Sequence, residues 1–268
     1  VTGGTGPAIE AARSEGRAAL VGYLPAGFPD VETSITLIQA MVDGGCDVIE
    51  VGLPYSDPVI DGPTIQAAAD RALSAGMRTR DVFRVVEATA GRVPTLVMTY
   101  WNPVERFGVE RFSADLAAAG GAGLITPDLT PDEAGEWIAA ADRHDLDKVF
   151  LVAPSSTATR LALTTEACRG FVYATAVMGV TGARELASDL APTLVARTRE
   201  VTDKPVCVGL GVSNGAQAAG IAAFADGVIV GSAFVKAVDG AESDGVDAAR
   251  RAVEALAQDL SRGVRREL

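Results

Sequence analysis

A chain of 268 residues, 48% hydrophobic and 22% charged, has enough apolar material for a sizeable core, and with only 5% aromatics it must fill that core with small aliphatic side chains. Its formal charge of −12 repels phosphodiester backbones and anionic lipid heads, and no Lys/Arg cluster offsets it, so no nucleic acid and no membrane partner is expected. Three widely spaced cysteines, Cys46, Cys168 and Cys207, fit reduced structural thiols of a cytoplasmic protein and argue against a disulfide frame or a metal site.

No basic segment followed by an apolar run opens the sequence, so no signal peptide is expected. Residues 1–7, rich in Gly and Thr, read as a mobile leader before a short helix over Ala8–Glu15. Ala18–Leu24 reads as a strand ending in the Pro25–Pro29 turn, and Asp30 caps a helix that carries Val31, Ile35, Ile38 and Met41 at helical spacing. Asp47–Leu53 is a second strand, and a long loop joins it to Asp61.

The alternation continues. Helices over Thr64–Ala75 and Thr79–Thr89 precede a strand at Pro94–Thr99, and a helix over Val109–Ala119 precedes one at Ala122–Thr126. A helix from Pro131 to His144 leads to a strand at Lys148–Val152, and one over Ala158–Cys168 to a strand at Gly170–Thr175. A helix over Leu186–Arg199 and strands at Pro205–Val208 and Gly227–Val230, each with a helix after it, complete the series. The longest uncharged run, Pro205–Ala225, contains four glycines and reads as strand, loop and helix, not as a membrane span. Eight strand–helix units without a break in pattern predict one (β/α)8 barrel of the TIM type over 1–268, with extra short helices. A doubly wound open sheet fits less well, because nothing marks a boundary near the middle.

Residues that are missing narrow the chemistry. The single histidine, His144, falls at the end of a surface helix, so neither a metal nor an imidazole base is expected. Of three lysines, Lys148 and Lys204 stand at strand entries, the wrong end of a barrel for catalysis, and Lys236 follows the last strand. An imine-forming lysine is therefore disfavoured. Proton transfer is left to carboxylates and tyrosines.

Glu50 interrupts an apolar strand, and alternation from Val48 turns it toward the barrel interior. A buried carboxylate without a neighbouring cation is costly, and its desolvation raises the pKa into the range where one group both gives and takes a proton. Asp61, held over the barrel mouth by a loop that Pro54 and Pro58 stiffen, reads equally as a second acid or as a turn into the helix that Pro63 begins. Gly209-Leu210-Gly211 after the seventh strand and Gly231-Ser232 after the eighth stand where barrels commonly cradle a phosphate. Gly179–Gly182 reads as a lid with glycine hinges or as a plain surface loop, and Tyr100 and Tyr173 point to the same mouth or simply pack.

These residues resemble the tryptophan synthase alpha subunit family. The likeness runs from about Arg17 to Lys236: IEVGLPYSDPVIDGPTIQ around Glu50, MTYWNP at Met98–Pro103, APSST at Ala153–Thr157, GVTG at Gly179–Gly182, GLGVS from Gly209, and VGSAFVK at Val230–Lys236. The resemblance implies retro-aldol cleavage of indole-3-glycerol phosphate to indole and glyceraldehyde 3-phosphate, with Glu50 as proton carrier, Asp61 on the indole N–H and Tyr173 lining the site. By the same resemblance Tyr23, Met98 and Tyr100 form the indole slot, and Thr181 belongs to a lid that closes over Asp61. Gly182, Gly211, Gly231 and Ser232 bind phosphate, with Gly209 and Leu210 beside them. It further implies no cofactor in this chain, and a beta subunit, itself carrying pyridoxal phosphate, joined in an α2β2 assembly through Pro54, Asp57, Asn102 and Asp128.

The sequence departs from many relatives in Ala176-Val177-Met178, where Ser-Arg is common, in Tyr23 and Leu210, often Phe, and in Thr130, often Pro. Two rival readings are a sugar-phosphate isomerase on the same barrel and a non-catalytic subunit that only activates its partner.

Overall fold

Alternation along the second strand sorts its side chains between two interiors. Val48 packs with one apolar cluster, while Ile49 and Val51 belong to another. In the computed structural model, which describes residues 4–175 and 184–267, this sorting is the consequence of a closed parallel sheet with helices outside it.

The strands are β1 (Ala19–Pro25), β2 (Val48–Gly52), β3 (Thr95–Met98), β4 (Gly123–Ile125), β5 (Asp147–Val149), β6 (Leu151–Val152), β7 (Val172–Thr175), β8 (Val206–Gly209) and β9 (Gly227–Val230). All pairings are parallel, in the order β5-β4-β3-β2-β1-β9-β8-β7-β6. The two ends of that order, β5 and β6, are one chain run parted only at Phe150, so the nine segments make eight barrel staves and the expected (β/α)8 barrel is observed. The register sets Tyr23 beside Glu50, and Glu50 beside Leu96.

Inside the barrel, Val21, Val48, Leu96, Ile125, Val149 and Phe171 fill the axis, and Ile9 and Ala12 of the first helix, α1 (Thr5–Ser14), pack onto them. Outside it, Ile49, Val97, Phe112, Trp137 and Phe234 are among the side chains that fill the layer between sheet and helices. Each layer is aliphatic apart from a few rings, as the composition requires.

The leading segment is a correction to the sequence reading. Helix α1 starts at Thr5 rather than Ala8, because Asp147 at the foot of β5 accepts hydrogen bonds at 2.7 Å from both the Thr5 backbone N–H and its hydroxyl. Thr5 is fully buried, so residues 5–7 are fixed and not part of a mobile leader. That tie joins residues 142 positions apart, which local sequence cannot show.

The barrel helices follow as α2 (Val31–Asp43), α3 (Pro63–Ser74), α4 (Asp81–Ala90), α5 (Trp101–Phe107), α6 (Val109–Ala118), α7 (Gly135–Arg143), α8 (Ala158–Ala167), α9 (Arg184–Arg199), α10 (Gly215–Ala222), α11 (Ser232–Ala241) and α12 (Val246–Arg265). Asp30 caps α2 by accepting from the Thr33 N–H at 2.9 Å, and Pro63 opens α3, both as their local chemistry demands. Helix α5 was not among the elements expected from the sequence; its Pro103 stands in the first turn, where no intrahelical N–H donor is needed, so the proline does not break it. Helix α7 begins at Gly135, after a turn in which the Glu133 N–H bonds to the Thr130 carbonyl, and not at Pro131. Among the described residues no helix is long and apolar enough to cross a membrane.

Asp147→Ala should therefore lower the unfolding free energy by about 3 kcal/mol, since two buried donors lose a charged acceptor. Asp30→Ala should cost about 1 kcal/mol, the value of an exposed helix cap. Urea unfolding of both variants checks the difference; equal losses would mean that the α1 tie contributes no more than a surface cap.

Candidate active site

The site is built on β2. Glu50 has no exposed surface, and among the described residues neither carboxylate oxygen has a hydrogen-bond partner. Lys148, the cation nearest the strand interiors in the sequence reading, is instead committed to Asp142 at the other end of its strand. Burial alone pushes the Glu50 pKa up to about 8. This agrees with the rise that the sequence reading expects from desolvation.

Two tyrosines flank that carboxyl. Tyr23, in register with Glu50 on β1, is seated because Gly52 has no side chain: a Cβ there would come within 2.3 Å of the phenol oxygen. Tyr173 on β7 uses Gly209 in the same way, its oxygen 2.5 Å from where a Cβ would stand. Gly209 was read only as part of a phosphate loop; the structure shows that the phenol requires it as well. Burial first, then the charges of Asp61 and Glu50, raise the Tyr23 pKa well above its ordinary value. Tyr173 is raised likewise, by burial and then by Glu50. Both stay protonated and present hydroxyl donors to the site.

Asp61 closes the loop that follows β2. Its backbone N–H and that of Ile60 donate to the Tyr100 hydroxyl at 3.2 and 3.1 Å, and Gln66 donates to its carbonyl at 2.7 Å. Burial raises the Asp61 pKa, and the neighbouring Tyr100 hydroxyl opposes that rise. Tyr23, Leu53, Asp61, Met98 and Tyr100 line a common cleft, so the three apolar slot residues and the second acid do meet. Met98 and Tyr100 share a face because they are two residues apart at the end of β3.

Further round the rim, β8 ends at Gly209, Leu210 is half-buried and Gly211 takes a φ of 66° that favours glycine. Gly231 is the residue before α11, and Ser232 is its first residue, so the N–H groups of a ten-residue helix open beside the mouth. Pairing of β9 with β1 puts this helix end next to Tyr23, whose ring lies 3.1 Å from where a Gly231 Cβ would stand.

Other sequence-derived residues fall as follows. Thr181 and Gly182 lie outside the described residues, as do Ala176-Val177-Met178 and the rest of the Gly179–Gly182 motif. Asp57, Asn102 and Asp128 are exposed, whereas Pro54 is buried within the chain and lines the cleft, so it presents the least surface to a partner. His144 ends α7 and contacts Glu110 at 2.8 Å, far from the mouth in function as in sequence. Lys204 bonds to the Thr165 and Glu166 carbonyls, and Lys236 is exposed on α11. Among the described residues no group of three or more His, Cys, Asp or Glu side chains could hold a metal ion. Sequence reading missed Gly52, whose signal lay in the strand pairing, and the hydroxyl of Tyr100, which it treated as slot lining.

A family profile described as tryptophan synthase alpha chain matches residues 9–265. The tryptophan synthase alpha chain of Acidothermus cellulolyticus is 61% identical over 262 residues, covering 97% of each chain, and that of Salinispora arenicola is 62% identical over 261 residues, also covering 97% of each. A solved structure of Mycobacterium tuberculosis tryptophan synthase superposes with a TM-score of 0.89 at 56% identity, over 97% of this chain and 98% of that one. With a family match across nearly the whole chain and relatives at this identity, the protein belongs to the tryptophan synthase alpha chain family.

Proposed function

We propose that Glu50 and Asp61 divide between them the chemistry of this family's reaction. The chain is a lyase of L-tryptophan biosynthesis that cleaves indole-3-glycerol phosphate to indole and glyceraldehyde 3-phosphate. The observation that carries the assignment is Glu50 itself: a buried acid on the barrel axis, without hydrogen bond or counter-ion among the described residues, has no structural purpose that would offset its cost.

The protonated Glu50 gives its proton to the ring carbon that bears the glyceryl side chain, and the ring nitrogen becomes positively charged. Asp61, accepting the ring N–H, stabilises that charge. The bond to the side chain then breaks, its electron pair restores the aromatic ring, and the adjacent hydroxyl becomes an aldehyde as its proton returns to the Glu50 carboxylate. One carboxyl group serves as acid and then as base, which its pKa of about 8 permits. Tyr23 and Tyr173 keep the axis free of other titrating groups near neutrality, since both phenols are raised. The Gly211 turn and the start of α11 hold the phosphate, aligning the substrate between them and the slot.

This chemistry calls for neither metal nor cofactor, and pyridoxal phosphate belongs to the beta partner. That partner, in an α2β2 assembly, covers the face that carries Asp57, Asn102 and Asp128. Val59 and Ile60, 75% and 43% exposed on the Asp61 loop, support such a cover, because exposed aliphatic side chains at a loop tip fit a binding surface. A non-catalytic role is disfavoured by Glu50, which a scaffold has no reason to bury.

Glu50→Gln should reduce indole release by about a hundredfold or more while inorganic phosphate still binds; loss of folding together with activity would instead mark Glu50 as structural. Asp61→Asn should lower kcat by about a hundredfold, read from the same assay. Since the reacting form carries the proton, kcat/KM should fall as pH rises through about 8, and a profile flat there would overturn the acid role.

The same burial makes a stability prediction. With a folded pKa of about 8 against 4.5 for the free carboxyl, the folded chain binds more protons than the unfolded one between those values, so stability falls as pH rises across that window. Glu50→Gln lacks this term. Urea unfolding on either side of the window should show the variant gaining on the wild type at the alkaline end.

A further inference from the structure

The loop that carries Asp61 has few means of holding a fixed position. Pro54 and Pro58 offer no N–H, Val59 and Ile60 are exposed, and the hydroxyl of Ser56 turns to its own neighbour Asp57 at 2.5 Å. Among the described residues, the one side chain from outside segment 54–66 that hydrogen-bonds to residues 54–61 is Tyr100.

Tyr100 is well placed for this. It is 5% exposed, its ring lies 5.3 Å from that of Tyr55, and it is the residue just before α5. The next residue is pinned too, because the Trp101 N–H donates to both carboxylate oxygens of Asp128, at 2.9 and 3.2 Å. The Asp128 contact therefore fixes the start of α5 from the β4 side, and the phenol projects from that fixed point to the Asp61 loop. Two backbone N–H groups occupy the acceptor capacity of the hydroxyl oxygen, which leaves its proton for the Asp61 carboxylate beside it. That contact favours the ionised carboxylate against the effect of burial.

Resting on the role proposed above for Asp61, we infer that Tyr100 is a positioning residue: its hydroxyl, rather than its ring, holds the Asp61 backbone and carboxylate in the direction from which the substrate N–H is met. The ring forms part of the slot wall; the oxygen sets the aim of the acid. A displacement of about 1 Å in such a group costs on the order of tenfold to a hundredfold in rate. The cost falls on kcat, because the apolar contacts and the phosphate site are untouched.

Tyr100→Phe tests this, since the ring and its packing survive while the oxygen is lost. Full-length wild type, Tyr100→Phe, Asp61→Asn and the double variant are compared for indole release from indole-3-glycerol phosphate, for inorganic phosphate binding and for thermal midpoint. The expected result is a kcat lowered about tenfold in Tyr100→Phe, with KM, phosphate affinity and thermal midpoint near wild type. In the Asp61→Asn background the same change should have little further effect, because the hydroxyl acts through the carboxylate. A Tyr100→Phe variant with wild-type kcat, while Asp61→Asn is impaired, overturns the positioning role and leaves the Asp61 assignment intact. A raised KM at unchanged kcat overturns it in favour of plain slot lining. If Asp61→Asn keeps full kcat, the reading of Asp61 fails, and any loss in Tyr100→Phe then does not run through that acid, which overturns the inference too.

Discussion

An unpartnered carboxyl group on the axis of the barrel is the constraint around which the site is arranged. Glu50 stands on a strand between inward-facing Val48 and Gly52, flanked by Tyr23 and Tyr173, and among the described residues nothing hydrogen-bonds to its carboxyl oxygens. In that setting the neutral form is favoured until mildly alkaline pH, and the group is held at the edge of ionisation. A compensating arginine would stabilise the fold and remove the chemistry. The barrel tolerates the cost because its stability comes from two large apolar layers, inside and outside the sheet, and from ties remote from the mouth such as Asp147 with Thr5.

Around that acid the glycines do two kinds of work. Gly52 and Gly209 stand where a Cβ would strike a phenol oxygen, so they are the seats of Tyr23 and Tyr173. Gly211 adopts a positive φ, and Gly231 leads into α11, which is the backbone of the phosphate site proposed above. The same residue type therefore seats the two phenols and shapes the backbone beside them, with Gly231 itself against the Tyr23 ring. Tyr23 brings a hydroxyl to this flank that the Gly52 seat accommodates.

The second acid is held in a different manner. Glu50 is fixed by a strand with neighbours on both sides, whereas Asp61, among the described residues, is held by Gln66 of its own segment and by the phenol of Tyr100, just before α5. In the roles proposed for them, a rigid proton carrier and a charge stabiliser on a loop suit a reaction in which the first must stay on the axis and the second must meet an entering ring. The exposed Val59 and Ile60 at the loop's tip put the loop within reach of a covering partner.

Much of this was legible in the sequence. Alternation of short apolar runs with amphipathic segments determined the barrel, because both periods are local properties, and the parity of Val48 and Glu50 determined that the acid faces inward. The absence of spare lysine and histidine narrowed the chemistry for the same reason: composition needs no coordinates. Tertiary structure alone decided the contacts between distant positions. These include Asp147 drawing Thr5 into the first helix, Gly52 yielding to Tyr23, Pro54 turning under the loop and the Tyr100 hydroxyl gripping the Asp61 backbone. Each such contact depends on strand register and loop path, which no periodicity encodes. The sequence by itself therefore determined the barrel and which residue types are at hand for proton transfer, because both are local or compositional properties, and the fold decided how each side chain is held.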